Sequence, residues 1–511
     1  MKKIIWTLFY IFLFSILLYN SFGYLDPDFG WHLRFGEIIW QTKNIPHDQI
    51  FMWTLQGKTW VDHEWLANLL MYVVWSTGGY IMLSIFFALL PLTALFLVNN
   101  FLFKYFFKRL ETQVVLAVIE IGALLAMKPH FGIRVQEITF LGIAFLLLTL
   151  QNYFLDRVKL PPWWLPILFY GWAMLHGGFL LGLGILFIWL VIETGLYFFP
   201  KIYPTTKSLS KDRLLQWYVI SGISFIVTLL TPYGLKLYSF LFEYKDNFYL
   251  SHIQEWLPPY KFPINYGQIA FIFLVVSTGL AIYGVLKKKI PLFFYIITLL
   301  LTFMAIKSVR HFPLLIAAWL ILILPHFLPE ITARLTIPNK KFISPLTFLC
   351  LLVLSISFFI NTRFTNNPFT AYCERSPCQA ARFLLGHPEY SKRIFNSYNF
   401  GGFLIGVAPD LRLFIDGRLP QYPYNDHSIL AEYYEFYHFG FTRQKIDEFS
   451  ISTVLHQKTQ PLRKINWFEK YILGYKDNNF KQPNAVLTYI STSPNWTKVY
   501  EDNISLVYVR K

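Results

Sequence analysis

The stretch YNSFGYLDPDFGWHLRFGE, Tyr19 to Glu37, decides how this chain is read. It closes an apolar run, Ile4 to Leu18, that follows Lys2 and Lys3. No small-residue cleavage site comes after the run, only bulky and acidic residues, so it is expected to stay as a helix and not to leave as a signal peptide. Directly behind it stand Asp26, Asp28, His32, Arg34 and Glu37. Ionisable groups beside a bilayer are costly and tend to mark a pathway or a site.

Outward from there, the composition sets the class. Of 511 residues, 55% are hydrophobic, 20% aromatic and only 14% charged. Apolar blocks near the roughly 20-residue bilayer length recur to about residue 361 and then stop. A helix alone satisfies its own backbone in lipid, so each block reads as a transmembrane helix. About eleven spans are expected, at 3–24, 78–102, 113–128, 137–155, 162–175, 178–199, 214–231, 267–286, 290–306, 311–328 and 342–361. The stretch after Trp65 reads as a surface helix leading into the second.

The net charge of +16 is spread over short loops and forms no single patch, which argues against a nucleic-acid partner. With the N-terminus inside, the basic loops alternate: Lys104, Lys108 and Arg109; Arg157 and Lys159; Lys201, Lys207, Lys211 and Arg213; Lys287 to Lys289; Arg334, Lys340 and Lys341. This is the positive-inside pattern.

The opposite loops hold histidines, carboxylates and single arginines: His130 and Arg134 in KPHFGIRVQE, His176 in LHGGF, Glu255 in YLSHIQEWLPPY, and Arg310 with His311 in IKSVRHF. Five such loops on one side imply a shared outer cavity. Within the first loop, Trp31, Phe35, Ile38 and Ile39 share one helical face, and His32, Arg34, Glu37 and Gln41 lie elsewhere, which fits a helix in the membrane interface. Asp26 and Asp28 also suit a helix N-terminus, by capping and by charge.

The expected organisation is a membrane domain over 1–361, with a long first outer loop over 25–77, and an outer α/β domain over 362–511. In the latter RIFNSY, LRLFID, ISTVLHQ and ISLVYVR read as strands, with CQAARFLLG and HSILAEYYEFYHFG as helices between them. Cys350 lies in an apolar block; Cys373 and Cys378 in CERSPC are a small disulfide or two free thiols.

The Asp-Pro step after the first span, the His-Leu-Arg run to Glu37, and then Pro46, Asp48, Gly57 and WVDHEWL (Trp60 to Leu66) resemble the first outer loop of the GT-C superfamily of membrane glycosyltransferases. HGGF at His176 and IDGR at Ile415 to Arg418 resemble its poorly characterised bacterial members. The resemblance implies a polytopic α-helical membrane protein of the bacterial cytoplasmic membrane, N-terminus inside and soluble domain outside. It implies Asp26 and Asp28 as catalytic carboxylates, acting as general base toward an acceptor hydroxyl or holding a divalent cation, magnesium or manganese. The donor would be a sugar on a polyprenyl phosphate or diphosphate, the acceptor a glycan, lipid or protein. A leaving phosphate needs cations, for which Arg134 and Arg310 with His130, His176 and His311 stand ready. His32, Arg34, Glu37, His63, Glu64 and Glu255 complete the expected substrate-binding set. The W-W-D-Y-G acceptor motif of oligosaccharyltransferases is absent, and so is a second D-x-D; Asp246 and Glu255 are the only distant carboxylates at hand.

Plainer readings stand beside these. Asp62, His63 and Glu64 form a metal site with the first-loop aspartates, or cap the helix that follows. His176 lines a cavity, or its glycines let two helices approach. Arg310 and His311 bind phosphate or snorkel. Asp416 and Arg418 touch sugar or end a strand in a turn. The aromatics of LPQYPY and YYEFYHF stack on sugar or fill a core. A transporter or flippase for a lipid-linked glycan would show internal repeats, and none is evident; a non-catalytic partner in envelope assembly is the third class.

Overall fold

The computed structural model describes residues 2–23, 25–155, 161–201, 209–243, 247–261, 290–336, 340–367, 375–458 and 484–511, with short pieces of 272–284 and 372–373. The contacts divide the chain into two compact units. A helical unit comprises Met1–Tyr24, Ile81–Leu237 and Gln254–Phe364, and a mixed unit comprises Leu25–Tyr80, Tyr238–Ile253 and Thr365–Lys511. The first loop, assigned from the sequence to the membrane domain, thus groups with the C-terminal chain.

In chain order the first helices are α1 (Lys2–Gly23), α2 (Phe29–Thr42), α3 (Trp65–Tyr105), α4 (Leu110–Met127), α5 (Gln136–Phe154), α6 (Leu165–Leu175), α7 (Phe179–Phe198), α8 (Lys211–Thr228), α9 (Leu235–Glu243) and α10 (Asn247–His252). Leu292–Lys307, the continuous run Val309–Ile331 and Lys340–Asn361 follow. Six described helices are long and apolar enough to cross a membrane: α1, α3, α4, α5, α7 and Val309–Ile331. This is a multi-pass helical membrane protein. Every expected span except 267–286 falls on a helix; that one lies largely outside the described residues, as do Arg157, Lys159, Lys207, Asp246 and Lys287 to Lys289.

Helix α3 is two helices in series. Gly78 and Gly79 leave helical geometry, and Gly79 sits at φ 63°, a left-handed conformation that glycine adopts without strain. The break separates the expected surface helix from the span. Inside the helical unit, α1 packs along Lys340–Asn361, and α6 and α7 along α8. Trp189 meets Trp217 at 5.6 Å and Phe293 at 4.9 Å, and Tyr153 meets Trp217 at 5.0 Å, all buried. One buried polar pair crosses this core, where Asn99 donates to Glu120 Oε2 at 3.0 Å. Arg109 caps a helix end, donating to the carbonyls of Ala333 at 2.6 Å and Leu335 at 2.9 Å.

The mixed unit holds a four-stranded sheet. Its strands are β1 (Ile394–Asn396), β4 (Thr453–Gln457), β6 (Ser505–Arg510) and β5 (Trp496–Glu501), side by side in that order; β1 runs parallel to β4 and the other pairs are antiparallel. A two-stranded ribbon pairs β2 (Pro423–Tyr424) with β3 (His427–Ser428). Three of the four expected strands are present. LRLFID is not one: Leu413 exchanges backbone hydrogen bonds with Phe51 and Trp53 of the first loop, and Asn396 Oδ1 accepts from Phe414 N at 2.8 Å. Its amides thus find partners outside the sheet. β5 gives no clear strand pattern because half of its side chains in WTKVYE are exposed at a sheet edge, in no regular alternation. The helices Cys378–Gly386 and Ile429–Glu435 form as expected, and Cys373 is bonded to Cys378.

The helix α2 is covered by protein on more than its apolar stripe. Phe29, Trp31, His32, Leu33, Phe35 and Ile39 are all buried in protein, and α2 packs on the helix Gly401–Val407. The contact runs through glycines: a methyl at Gly30 would overlap the carbonyl of Gly402, and one at Gly402 the carbonyl of Pro27.

Candidate active site

In the mixed unit the backbone of Asp26-Pro27-Asp28 enters α2 through a turn. Asp26 Oδ1 accepts from Asp28 N at 2.9 Å, so one oxygen of Asp26 does capping work. Asp28 is the N-cap residue by position, yet its carboxylate makes no cap hydrogen bond. It lies instead against the IDGR turn, where a methyl placed on Gly417 would overlap Asp28 Oδ1.

One turn on, His32 is buried and stacked on Trp31 at 3.7 Å. Its Nδ1 is 2.6 Å from Asn68 Oδ1, and Asn68 Nδ2 donates to Asp62 at 3.0 and 2.9 Å. Because the Asn68 amide spends its donors on Asp62, its oxygen must accept, which places the imidazole proton on Nδ1. Burial holds the His32 pKa down and favours the neutral ring, whose Nε2 lies 3.9 Å from Glu64. His63 Nε2 approaches the other oxygen of Glu64 at 3.4 Å. Asp26 also acts on His32 electrostatically. The expected trio 62–64 and the first-loop histidine therefore meet, joined by Asn68. No reading of the sequence singled out Asn68; its signal is an amide six residues after Asp62, on the same side of the opening turn of α3.

Asp62 is fully buried, and desolvation pushes its pKa up to about 7 despite the Asn68 hydrogen bonds. The folded state thus keeps a proton that the unfolded chain releases near pH 4. Stability from this group is therefore complete below about pH 4 and falls as pH rises toward 7. Thermal unfolding of the purified protein between pH 4.5 and 8 is expected to show that fall, and Asp62→Asn to flatten it. Parallel curves for the two proteins would remove Asp62 as the titrating group.

Arg34 and Glu37 are tied to each other, Nη1 to Oε2 at 2.6 Å, and Gln41 adds a bond to Glu37 at 3.3 Å. They are half-exposed and take no part in the His32 network. Asp416 and Arg418 are an internal ion pair with both side chains at 0% exposure, bonded at 2.6 and 3.0 Å. Arg418 also donates to Gln49 at 2.9 Å and faces the rings of Phe35, Phe51 and Trp60 at 4.9–5.4 Å. Their burial leaves no route for a sugar contact.

In the helical unit, two loops far apart in sequence bring basic groups together. His130 lies within electrostatic reach of Arg134, Arg310 and His311. Gly132 N donates to Glu137 Oε1 at 2.6 Å, closing the loop that carries Arg134. Buried Asn20 donates to the Lys128 carbonyl at 3.0 Å and anchors the same loop, a role unseen in the sequence. Arg310 pairs with Glu255 and lies over Trp256 at 4.9 Å. Ser308 Oγ donates to the Glu255 carbonyl at 2.9 Å, and Val309 N to that of Leu257 at 3.0 Å, so the segments 255–257 and 308–310 are bound as one.

His176 belongs to a different arrangement. Gly178 N donates to its Nδ1 at 3.0 Å, Thr139 Oγ1 stands 2.7 Å from that atom, and Trp172 Nε1 donates to Thr139 at 3.0 Å. A methyl on Gly178 would overlap Thr139. His176 thus fixes the turn where α5, α6 and α7 close on one another.

A divalent cation is not well served by the first loop. Among the described residues three metal donors converge only at His427, Glu432 and Glu435, and Lys445 already sits on both of those carboxylates at 2.5 and 2.8 Å. Among the described residues no third metal donor converges with Asp26 and Asp28.

No family model and no curated protein matches this chain. Its fold is similar to that of a solved protein, the arabinofuranosyltransferase AftD from Mycobacteria, seen by single-particle cryo-electron microscopy, with a TM-score of 0.53 at 12% identity. The likeness takes in all of this chain and 40% of the length of AftD, and at that identity it is a likeness of fold alone.

Proposed function

We propose that this protein is a membrane glycosyltransferase of the GT-C type, placed in a bacterial cytoplasmic membrane with its N-terminus inside and the mixed unit outside. It moves a sugar from a polyprenyl phosphate or diphosphate to a hydroxyl of an envelope glycan, lipid or protein. The observation that carries this reading is the gathering of His130, Arg134, Arg310 and His311 from two distant loops of the helical unit. Arginine binds phosphate oxygens in a fork and keeps its charge in a dry site. A leaving phosphate is where such charge is useful.

In the proposed step the acceptor oxygen attacks the anomeric carbon and its proton passes to a first-loop carboxylate, Asp28 or Asp26. The bond from the anomeric carbon to the phosphate oxygen breaks, and the electron pair leaves with the phosphate. The fold likeness to an arabinofuranosyltransferase supports the class and leaves sugar and acceptor open.

The test is a deletion strain complemented with wild type, Asp26→Asn or Asp28→Asn, with the glycolipids and envelope glycans profiled by mass spectrometry. A glycan lost on deletion should return with wild type and fail to return with at least one variant present at wild-type abundance. Full return with both variants overturns the reading. A flippase would show movement of the intact lipid-linked sugar between leaflets with no change in what the sugar is bonded to.

A further inference from the structure

The mixed unit contains a cavity of about 490 Å³, lined by none of the residues of the proposed transfer step. That volume lies in the range of small-molecule sites, about 300–1,000 Å³. One wall is aromatic. On α10 the Phe248 and His252 rings stack at 3.9 Å and 10°, and they meet Tyr434 at 5.5 and 4.8 Å. Tyr437 adds a further ring, held in place because its hydroxyl lies between Tyr433 at 2.7 Å and His456 at 3.0 Å. The rest of the lining is Ala431 and three polar side chains: His427, whose Nε2 is fixed on Glu432 at 2.8 Å, Glu435 and His438.

The charges narrow the ligand. Lys445 is shared by Glu432, Glu435 and Glu448 at 2.5, 2.8 and 3.5 Å, so its ammonium is already outnumbered by carboxylates. An anionic ligand such as a phosphate would meet net negative charge. A metal ion would have to displace that ammonium from two carboxylates at once. A wholly apolar ligand would leave His427 and Glu435 without water. A neutral polyol fits on every side: its C–H faces cover aromatic rings, and its hydroxyls pair with imidazole and carboxylate, which supply both donors and acceptors.

We infer that this cavity is a saccharide-binding site that holds a neutral sugar residue of the acceptor glycan apart from the reacting hydroxyl. Its use in transfer rests on the glycosyltransferase reading; the binding itself does not. A second foothold on the acceptor raises the local concentration of the hydroxyl at the carboxylates without adding a contact there.

The test uses the full-length protein in lipid nanodiscs and saturation-transfer NMR. The probes are three neutral trisaccharides (mannotriose, maltotriose and an α-arabinofuranosyl trisaccharide), with glucose 1-phosphate and Mn²⁺ as contrasts. At least one neutral trisaccharide should receive saturation on its ring protons. Tyr434→Ala should weaken that affinity at least tenfold, and Tyr434→Phe, which keeps the ring, should hold it within about twofold. Should Tyr434→Ala fail to fold, His252→Ala, on the exposed side of the wall, replaces it with the same expectation. Binding of no neutral probe, equal binding in a folded ring-deleted variant, or binding of Mn²⁺ alone overturns the inference. Asp28→Asn separates the two ideas: it should bind saccharide as wild type does. Saccharide binding in a wild-type protein that transfers nothing sinks the proposed function and leaves the cavity standing, whereas transfer without binding does the reverse.

Discussion

Arg418→Met is expected to cost about 3–5 kcal/mol of stability, the range found when one partner of a buried ion pair is removed. The reason is what remains. Asp416 is wholly enclosed, and in the wild type its two oxygens accept from the Arg418 side chain at 3.0 and 2.6 Å and from the Arg418 amide at 2.9 Å. Without the guanidinium it keeps one amide and a charge with no water. The same guanidinium faces three aromatic rings, so its removal also loosens Phe35, Phe51 and Trp60. A loss of that size approaches the whole margin of many domains. The variant should reach the membrane in much reduced amount, and what is extracted should melt far below wild type. The double variant Asp416→Leu with Arg418→Met should recover much of the loss, because no charge is then stranded. Wild-type melting for Arg418→Met would mean that the pair is not buried.

Gly417→Ala is expected to do the opposite: little change in melting and a fall in glycosyl transfer of about 100-fold, the scale reported for displacing a reacting group by an ångström. The added methyl would overlap Asp28 Oδ1, the tip of a short side chain that can swing aside at small energetic cost. Swinging aside is what the proposed chemistry cannot tolerate. Gly402→Ala is the control, since its methyl meets the backbone at Pro27 and Asp28 Cα and should lower stability first. Transfer assayed on equal amounts of folded protein, with kcat and KM separated, distinguishes the two. A Gly417→Ala protein that melts as wild type and transfers at the wild-type rate would free Asp28 from any catalytic role.

These two glycines show where a sequence is mute. NFGGF and IDGR stand out as motifs, yet nothing near them in the chain says that they enclose Asp28, hundreds of residues earlier. Local periodicity reports a helix's own faces. It placed the apolar blocks well, because lipid imposes one length and one backbone solution on each. It also marked His130, Arg134, Arg310 and His311, because charge at a membrane edge is conspicuous in so apolar a chain. It gave only part of α2, whose mixed faces suggested an interface helix. Buried Phe29, Leu33 and Gly36 lie off the stripe first chosen, and they are explained only by protein packed on further sides. It failed for LRLFID, whose alternation is that of a strand but whose amides bond to the first loop. Asn68 and Asn20 were passed over because an amide carries no charge to draw the eye, although each holds a loop in place through its hydrogen bonds.

The pairing of Leu25–Tyr80 with Thr365–Lys511 also bears on biogenesis. At about 5–20 residues per second, the ribosome needs on the order of 15–60 s to travel from Tyr80 to Thr365. Through that interval Phe29, Phe35 and Trp60, which end up fully covered, lack the partner surface that the last part of the chain provides. The nascent protein must therefore be sheltered while its membrane helices are still being threaded. A chain cut short by a late stop codon leaves that surface bare for good, and quality-control proteases should clear it even though every transmembrane segment has been made.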